Sequence, residues 1–442
     1  MSSRSEILFL NEHKIGVLGL GYVGLPLALL FSTKYKVYGY DPNHNTINRI
    51  LSDEDIVNGV EISTIKTHLN TSFYPSSDIS DLKECDVYII CVPTPLRSNK
   101  KPDLSYIKKA AESIVPFINI NKLVILESTT YPGTTEGLLS SILEKSGYKA
   151  GDDFYVAFSP ERIDPGNGQP LCSIPKVIGG INDESTKLCS NIYRKVFDEI
   201  VVVSDAKTAE ATKLFENIFR LVNIALVNEI SLVLDQLNIS TWDVISAAST
   251  KPYGFMPFYP GPGVGGHCIP LDPFYLTYSS ERLGISSQFI HLSTQINDYM
   301  MMYVINLIEL SLKQFNVDLS KSTIALFGLT YKKDVEDIRE SPSKHIINEL
   351  DEFGVNIRVH DPFVKETIVN GTIIKCYDTV CDALEGVDCA VFLVDHSKYA
   401  LLEPNEIVNK MKHKIIIDCK NIFGDKRVDN EIHLTGIGKN IK

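Results

Sequence analysis

Lys14-Ile15-Gly16-Val17-Leu18-Gly19-Leu20-Gly21-Tyr22-Val23-Gly24 decides the fold. A short apolar run leads into G-x-G-x-x-G, and the apolar stretch Leu25-Pro26-Leu27-Ala28-Leu29-Leu30 follows as a helix start. A second strand-like run, Tyr35 to Tyr40, ends in Asp41. Strand, glycine turn, helix, strand and acid, at a spacing of about 20 residues, form the pattern of a dinucleotide site. The glycines permit the turn and bring a pyrophosphate to the helix N-terminus. Asp41 is expected to accept hydrogen bonds from an adenosine ribose, and its charge repels a 2′-phosphate. NAD is therefore expected rather than NADP, bound by Gly19, Gly21, Tyr22, Val23, Gly24 and Asp41. The plainer alternative is a tight strand–helix turn that binds nothing.

Further along, Asp86 to Val92, Leu123 to Leu126 and Phe154 to Phe158 read as buried strands. Each is followed by a loop with polar or proline residues, as in a parallel doubly wound sheet. Ligands of such sheets lie at the carboxyl ends of the strands. Thr94 and Thr129, just past two of these ends, should therefore face the cofactor.

The C-terminal part echoes the first. Thr323 to Leu329 resembles the opening strand, and Val355 to Pro362 repeats the run that ends in Asp-Pro. Cys389 to Val394 and Lys414 to Asp418 supply further strands. A second, smaller doubly wound domain is expected from near residue 319. It lacks G-x-G-x-x-G and carries Tyr331-Lys332-Lys333-Asp334 instead. Lysines at that turn would suit a nucleotide diphosphate, or they belong to a solvated charged loop. The expected class is α/β, with two Rossmann-like domains joined by a long central helix and a helical domain. The expected division is 1–205 for the NAD-binding domain, 206–318 for the central domain and 319–442 for the second Rossmann-like domain.

Residues from about Lys207 to Leu237 have helical periodicity and contain no Gly or Pro. Their apolar surface is broad enough to require wide burial, including against a second subunit. Lys213, Asn217, Arg220 and Asn228 nevertheless fall along one stripe. Buried polar groups need partners, so the stripe either forms a hydrogen-bond network or lines an active site. Downstream stands Pro260-Gly261-Pro262-Gly263-Val264-Gly265-Gly266-His267-Cys268-Ile269-Pro270-Leu271-Asp272-Pro273. A thiol at the end of a glycine run, with Asp272 close behind, is a candidate covalent nucleophile. A buried small side chain in a turn is the plainer alternative.

At 442 residues the chain exceeds one ordinary core. It is 44% hydrophobic and 22% charged, as soluble globular proteins are. A net charge of −12 argues against a nucleic-acid or anionic-membrane partner. No apolar run is expected to span a bilayer, and Met1 to Leu10 lacks a secretory h-region of adequate length. The nine cysteines show no C-x-x-C pair and no zinc-like spacing. No metal is expected, and a reducing cytoplasm is the simplest setting.

In this order the motifs resemble those of the UDP-glucose/GDP-mannose dehydrogenase family over nearly the whole chain. The resemblance rests on Gly19 to Pro26, Ser159-Pro160-Glu161-Arg162, Lys213-Leu214-Phe215-Glu216-Asn217, Gly265 to Asp272 and Tyr331 to Asp334. Thr250 to Gly263 and Ser159 to Gly166 look like the branch acting on UDP-N-acetylglucosamine. UDP-glucose enzymes usually carry an arginine in the loop before the cysteine, and here Lys251 and aromatics stand instead. UDP-N-acetylmannosamine, UDP-N-acetylgalactosamine and UDP-glucose remain alternatives.

The resemblance implies a four-electron oxidation of a sugar C6 alcohol with two NAD, through a thiohemiacetal and a thioester on Cys268. Lys213 and Asn217 would stabilise the oxyanion. Asp272 and Glu161 would position or deprotonate water, with Thr129 helping. Arg162, Tyr259, Gly263 and Lys332 would join Glu161, Lys213 and Asn217 around the substrate, and Arg339 would lie on the cofactor side. A homodimer is implied. Two other classes are a hydroxyacid or 6-phosphogluconate-type dehydrogenase and a non-catalytic NAD-binding protein. The first needs neither the Cys268 loop nor the second doubly wound domain. The second does not need Lys213, Asn217 and Cys268 together.

Overall fold

The computed structural model describes residues 13–52, 60–163, 169–424 and 426–439. Met1 to Leu10 and Asp164 to Gly166, read above, lie outside the described residues. The chain divides into two compact units, Met1–Glu216 with Leu271–Ser286 and Asn217–Pro270 with Ser287–Lys442.

The first unit is built on an eight-stranded sheet. Its strands are β1 (Lys14–Leu18), β2 (Lys36–Tyr40), β3 (Phe73–Ser76), β4 (Val87–Ile90), β5 (Leu123–Leu126), β6 (Tyr155–Phe158), β7 (Lys176–Gly180) and β8 (Ile200–Val202). The order is β3-β2-β1-β4-β5-β6-β7-β8. The order reverses between β1 and β4, the crevice where doubly wound sheets bind ligands. Helix α1 (Gly24–Ser32) is apolar nearly all round and buried nearly all round. It packs into one core with Ile15, Val17, Val37 and Ile89. One pairing departs from the expected parallel pattern: β7 runs antiparallel to β6. A parallel return needs a long crossover, usually helical. The described part of this connection holds only one 3-10 turn, Leu171–Ser173.

The second unit holds a five-stranded parallel sheet of β9 (Thr323–Phe327), β10 (Asn356–His360), β13 (Cys389–Phe392), β14 (Ile415–Asp418) and β15 (His433–Thr435). A separate hairpin pairs β11 (Glu366–Val369) with β12 (Thr372–Lys375). The order β10-β9-β13-β14 repeats β2-β1-β4-β5. The likeness extends to single bonds. Gly19 N donates to Tyr40 O at 2.8 Å, and Gly328 N to His360 O at 3.0 Å. Leu20 N donates to Asp41 Oδ2 at 3.0 Å, and Leu329 N to Asp361 Oδ2 at 2.7 Å. The repeat read in the sequence is thus a repeat of structure, and the expected α/β class stands. In the first unit a helix opens directly after the glycine turn; in the second, loop 329–341 intervenes before the helix Pro342–Glu352.

Helix α2 (Ala206–Gln236) runs for 31 residues from one unit into the other. It corrects the expectation that no apolar segment reaches bilayer-spanning length. An 18-residue window within it has mean hydropathy 1.5, with only 28% of the window buried. The expectation failed because the charged residues are spaced along the helix rather than grouped.

Candidate functional site

The cofactor end of the first unit is set by close approach. A Cβ on Gly24 would stand 1.8 Å from the Gly19 carbonyl oxygen, so only glycine lets α1 begin so near β1. A Cβ on Gly21 would meet no atom of the described residues within 4 Å, so the backbone there lies open to a ligand. No side chain caps α1, and no acid stands in its first turn. Both features suit a pyrophosphate. Val23 packs against the core, and Tyr22 is exposed. Asp41 takes Leu20 N on one oxygen and Asn43 N on the other, which fixes the carboxylate at the end of β2. Each carboxylate oxygen has a second lone pair for a ribose hydroxyl. Thr94 is buried, and its carbonyl accepts from Tyr275. Ser128 Oγ donates to Val92 O and accepts from Val92 N, joining the ends of β4 and β5 beside the half-buried Thr129. These residues fit NAD.

Elsewhere in this unit Glu161 is buried. Its Oε1 accepts from the N–H groups of Arg162 and Ile163, both at 2.6 Å. Lys213, also buried, donates from Nζ to the Glu161 carbonyl at 2.6 Å. The structure therefore brings these two predicted residues together, backbone to side chain. The Arg162 guanidinium is committed to Pro175 O and to Glu216, each at 2.7 Å. Asp272 is buried in the first turn of α3 (Asp272–Arg282), where an acid complements the helix dipole.

In the second unit the turn before Cys268 rests on loop 329–341. Gly266 has φ +83°, and a Cβ there would stand 2.8 Å from the Tyr331 ring. Gly266 N donates to Arg339 O at 3.0 Å. Cys268 is half-buried. Arg339 forks onto Asp337, with its NH2 nitrogen at 2.6 Å. Lys332 is half-buried in the same loop. Asn217 is fully buried and accepts from Arg220. Asn228 is equally buried, and its amide explains why it is polar. It donates to Asn297 at 2.9 Å and accepts from Gly261 N at 3.0 Å, tying the proline–glycine loop to α2. Tyr259 stacks on Trp242 at 5.7 Å. Gly263 has φ +126° and packs by Asn297 O.

The buried ionisable residues that were not foreseen include Glu210, Glu127 and Lys176. Glu210 lies one turn before Lys213 on α2 and accepts from Gly133 N, Thr135 N and Thr135 Oγ1. It extends the polar stripe and was legible in that way. Glu127 and Lys176 were not, because a charge flanking a strand ordinarily reads as solvated. Lys176 Nζ donates to Glu127 Oε2 at 2.6 Å, and Tyr193 OH donates to Oε1. Burial pushes the Glu127 carboxyl up to about 7. Burial also opposes charge on Lys176, but the carboxylates of Glu127 and Glu161 raise it above the ordinary lysine value. Carboxylate oxygens flank its ammonium on two sides. Among the described residues no three His, Cys, Asp or Glu side chains gather as metal ligands.

Residues 13–197, 207–299 and 325–425 match in turn the NAD binding, central and UDP binding domains of the UDP-glucose/GDP-mannose dehydrogenase family. The chain is 36% identical over 438 residues to UDP-N-acetyl-D-mannosamine dehydrogenase of Methanococcus aeolicus, covering 97% of this chain and 96% of that one. It is 35% identical over 427 residues to UDP-N-acetyl-D-glucosamine 6-dehydrogenase of Pseudomonas aeruginosa, covering 95% and 99%. The solved structure of UDP-D-ManNAc dehydrogenase from Pyrococcus horikoshii superposes with a TM-score of 0.90 at 35% identity, covering 97% of this chain and 100% of that one.

Proposed function

We propose, on the premise that the chain belongs to the UDP-glucose/GDP-mannose dehydrogenase family, that it oxidises C6 of a UDP-N-acetylhexosamine to the carboxylate. It is an NAD-dependent nucleotide-sugar dehydrogenase. The observation that carries the substrate class is full-length similarity to two dehydrogenases of UDP-N-acetylhexosamines. The exposed Tyr253 and Phe255 support it, as apolar surface for an acetyl methyl. Tyr259, stacked on Trp242, fits loop packing better.

Bound NAD supplies the hydride acceptor, used twice per sugar. Cys268 captures the aldehyde as a thiohemiacetal and, after the second oxidation, carries the thioester. Lys213 and Asn217 stabilise the oxyanion. Glu161 and Asp272 position or deprotonate water, with Thr129 assisting. Lys332 meets the substrate's phosphate or sugar, Arg162, Tyr259 and Gly263 contribute to the substrate site, and Arg339 serves the cofactor side. The division at 205/206 and 318/319 is supported by the limits of the three family matches.

UDP-N-acetylglucosamine is the first choice of epimer on the sequence motifs. UDP-N-acetylmannosamine is the second, supported by the superposition at TM-score 0.90. A homodimer is supported by the exposed Phe219, Leu226, Ile230 and Val233 on α2. A cytoplasmic setting is supported by nine cysteines that are all thiols. The test is NADH formation with a panel of UDP-sugars, compared by kcat/KM. Two NADH per UDP-N-acetylhexosamine are expected, and a higher kcat/KM for UDP-glucose overturns the proposal.

A further inference from the structure

A buried charge cluster stands behind Glu161. Lys176, the first residue of β7, is 2% exposed. Its Nζ lies 2.6 Å from Glu127 Oε2 and 3.5 Å from Glu161 Oε2. The rings of Phe197 and Tyr193 lie 5.4 and 5.8 Å from the same nitrogen. Tyr193 OH holds the other oxygen of Glu127. The Glu161 carboxylate is thereby divided in function. Its Oε1 is saturated by two backbone N–H groups, whereas its buried Oε2 has no hydrogen-bond partner among the described residues and faces the Lys176 charge.

Burying an ammonium costs several kcal/mol, and a buried ion cluster adds little stability over apolar packing of similar volume. A lysine here therefore calls for another reason, and the orphaned oxygen supplies one. A buried carboxylate left without a facing cation costs free energy, and Lys176 supplies that cation 3.5 Å from Oε2. We infer that Lys176, anchored by Glu127 and Tyr193, is a positioning residue that holds the Glu161 carboxylate in place as the proton acceptor.

The inference rests on the proposed thioester route and places Lys176 in its last step. The water oxygen bonds to the acyl carbon while one water proton passes to the Glu161 carboxylate. The C–S bond breaks, and the Cys268 sulfur leaves with the electron pair. The product acid then loses its remaining proton to solvent. Hydride transfer does not need Glu161 as a base in this scheme. Losing Lys176 should therefore slow hydrolysis and spare NADH formation in the first turnover.

The test is rapid mixing of the enzyme with NAD and the UDP-sugar preferred in the panel assay. NADH is followed by absorbance, and quenched protein is weighed by intact mass spectrometry. Lys176→Met should give a near-normal NADH burst and then a steady state slowed roughly tenfold or more, with acyl-enzyme accumulating on Cys268. Lys176→Arg should restore much of the hydrolysis. If Lys176→Met does not fold, Lys176→Gln serves the same test, since it can still donate to Glu127 but lacks the charge. Glu161→Gln is the control. If that control accumulates acyl-enzyme while the folded Lys176 variants hydrolyse at the normal rate, the inference is overturned and the thioester route stands. If Glu161→Gln shows no adduct and Cys268→Ser turns over normally, the thioester route itself fails.

Discussion

Gly266 N donates to Arg339 O at 3.0 Å, so the turn that ends in Cys268 is tied to the loop that bears Tyr331 and Lys332. A glycine run in one part of the chain is thus held by a loop some distance on in sequence. Gly266→Ala should damage this arrangement twice, through the left-handed φ of +83° and through contact with the Tyr331 ring. The strain is about 1–3 kcal/mol. Turnover should fall roughly tenfold or more, with NAD affinity unchanged in a fluorescence titration. Near-normal kcat would mean that the turn does not depend on Tyr331.

Cys268→Ser should abolish steady-state NADH production while NAD still binds. An oxygen ester is less activated than a thioester, so the reaction stalls at or before the acyl stage. Sustained turnover of this variant at the wild-type rate would remove Cys268 from the mechanism.

NAD should be preferred strongly over NADP, because Asp41 would face the added phosphate. Asp41→Ala should narrow the preference and also weaken NAD itself, since the carboxylate anchors Leu20 N and Asn43 N. The measurement is kcat/KM for both cofactors with both proteins. Equal use of NADP by the wild type would contradict the placement of Asp41.

Glu210 should make folding stability depend on pH. Burial pushes its carboxyl up to about 7, despite the donors from Thr135 and Gly133. An unfolded glutamate titrates near about 4.3. Between those values the folded chain holds the extra proton, so this contribution is complete below the lower value and lost as pH rises through the upper one. The full effect is on the order of 3–4 kcal/mol. Thermal midpoints at about pH 5 and about pH 7.5 should therefore differ more in the wild type than in Glu210→Gln. Identical slopes in the two proteins would rule out Glu210 as the source.

Charges placed on the exposed apolar face of α2 should break the proposed dimer. Leu226→Glu combined with Val233→Glu puts two carboxylates on residues that are 54% and 52% exposed in the single chain. Sedimentation should show a wild-type dimer and a folded monomeric variant. A wild-type monomer, or a variant dimer of unchanged affinity, would place the interface elsewhere or deny it.

Local chemistry made much of this protein readable in the sequence. Gly19 to Gly24 with Asp41, the run to His360-Asp361 that repeats it, and the helical stripe through Lys213 and Asn217 are patterns of period and spacing. They follow from backbone sterics and from which faces must be buried, so they are visible without a fold. What only the tertiary structure decided is which polar groups meet across elements. The sequence does not show that Lys176 at the start of β7 reaches both Glu127 and Glu161, because strand order and burial convert a flanking charge into an interior one. Nor does it show that Asn228 serves Gly261 rather than solvent, or that Gly266 is glycine because Tyr331 lies against it. Pair contacts between distant segments depend on packing geometry, and single-chain periodicity carries no information about that geometry.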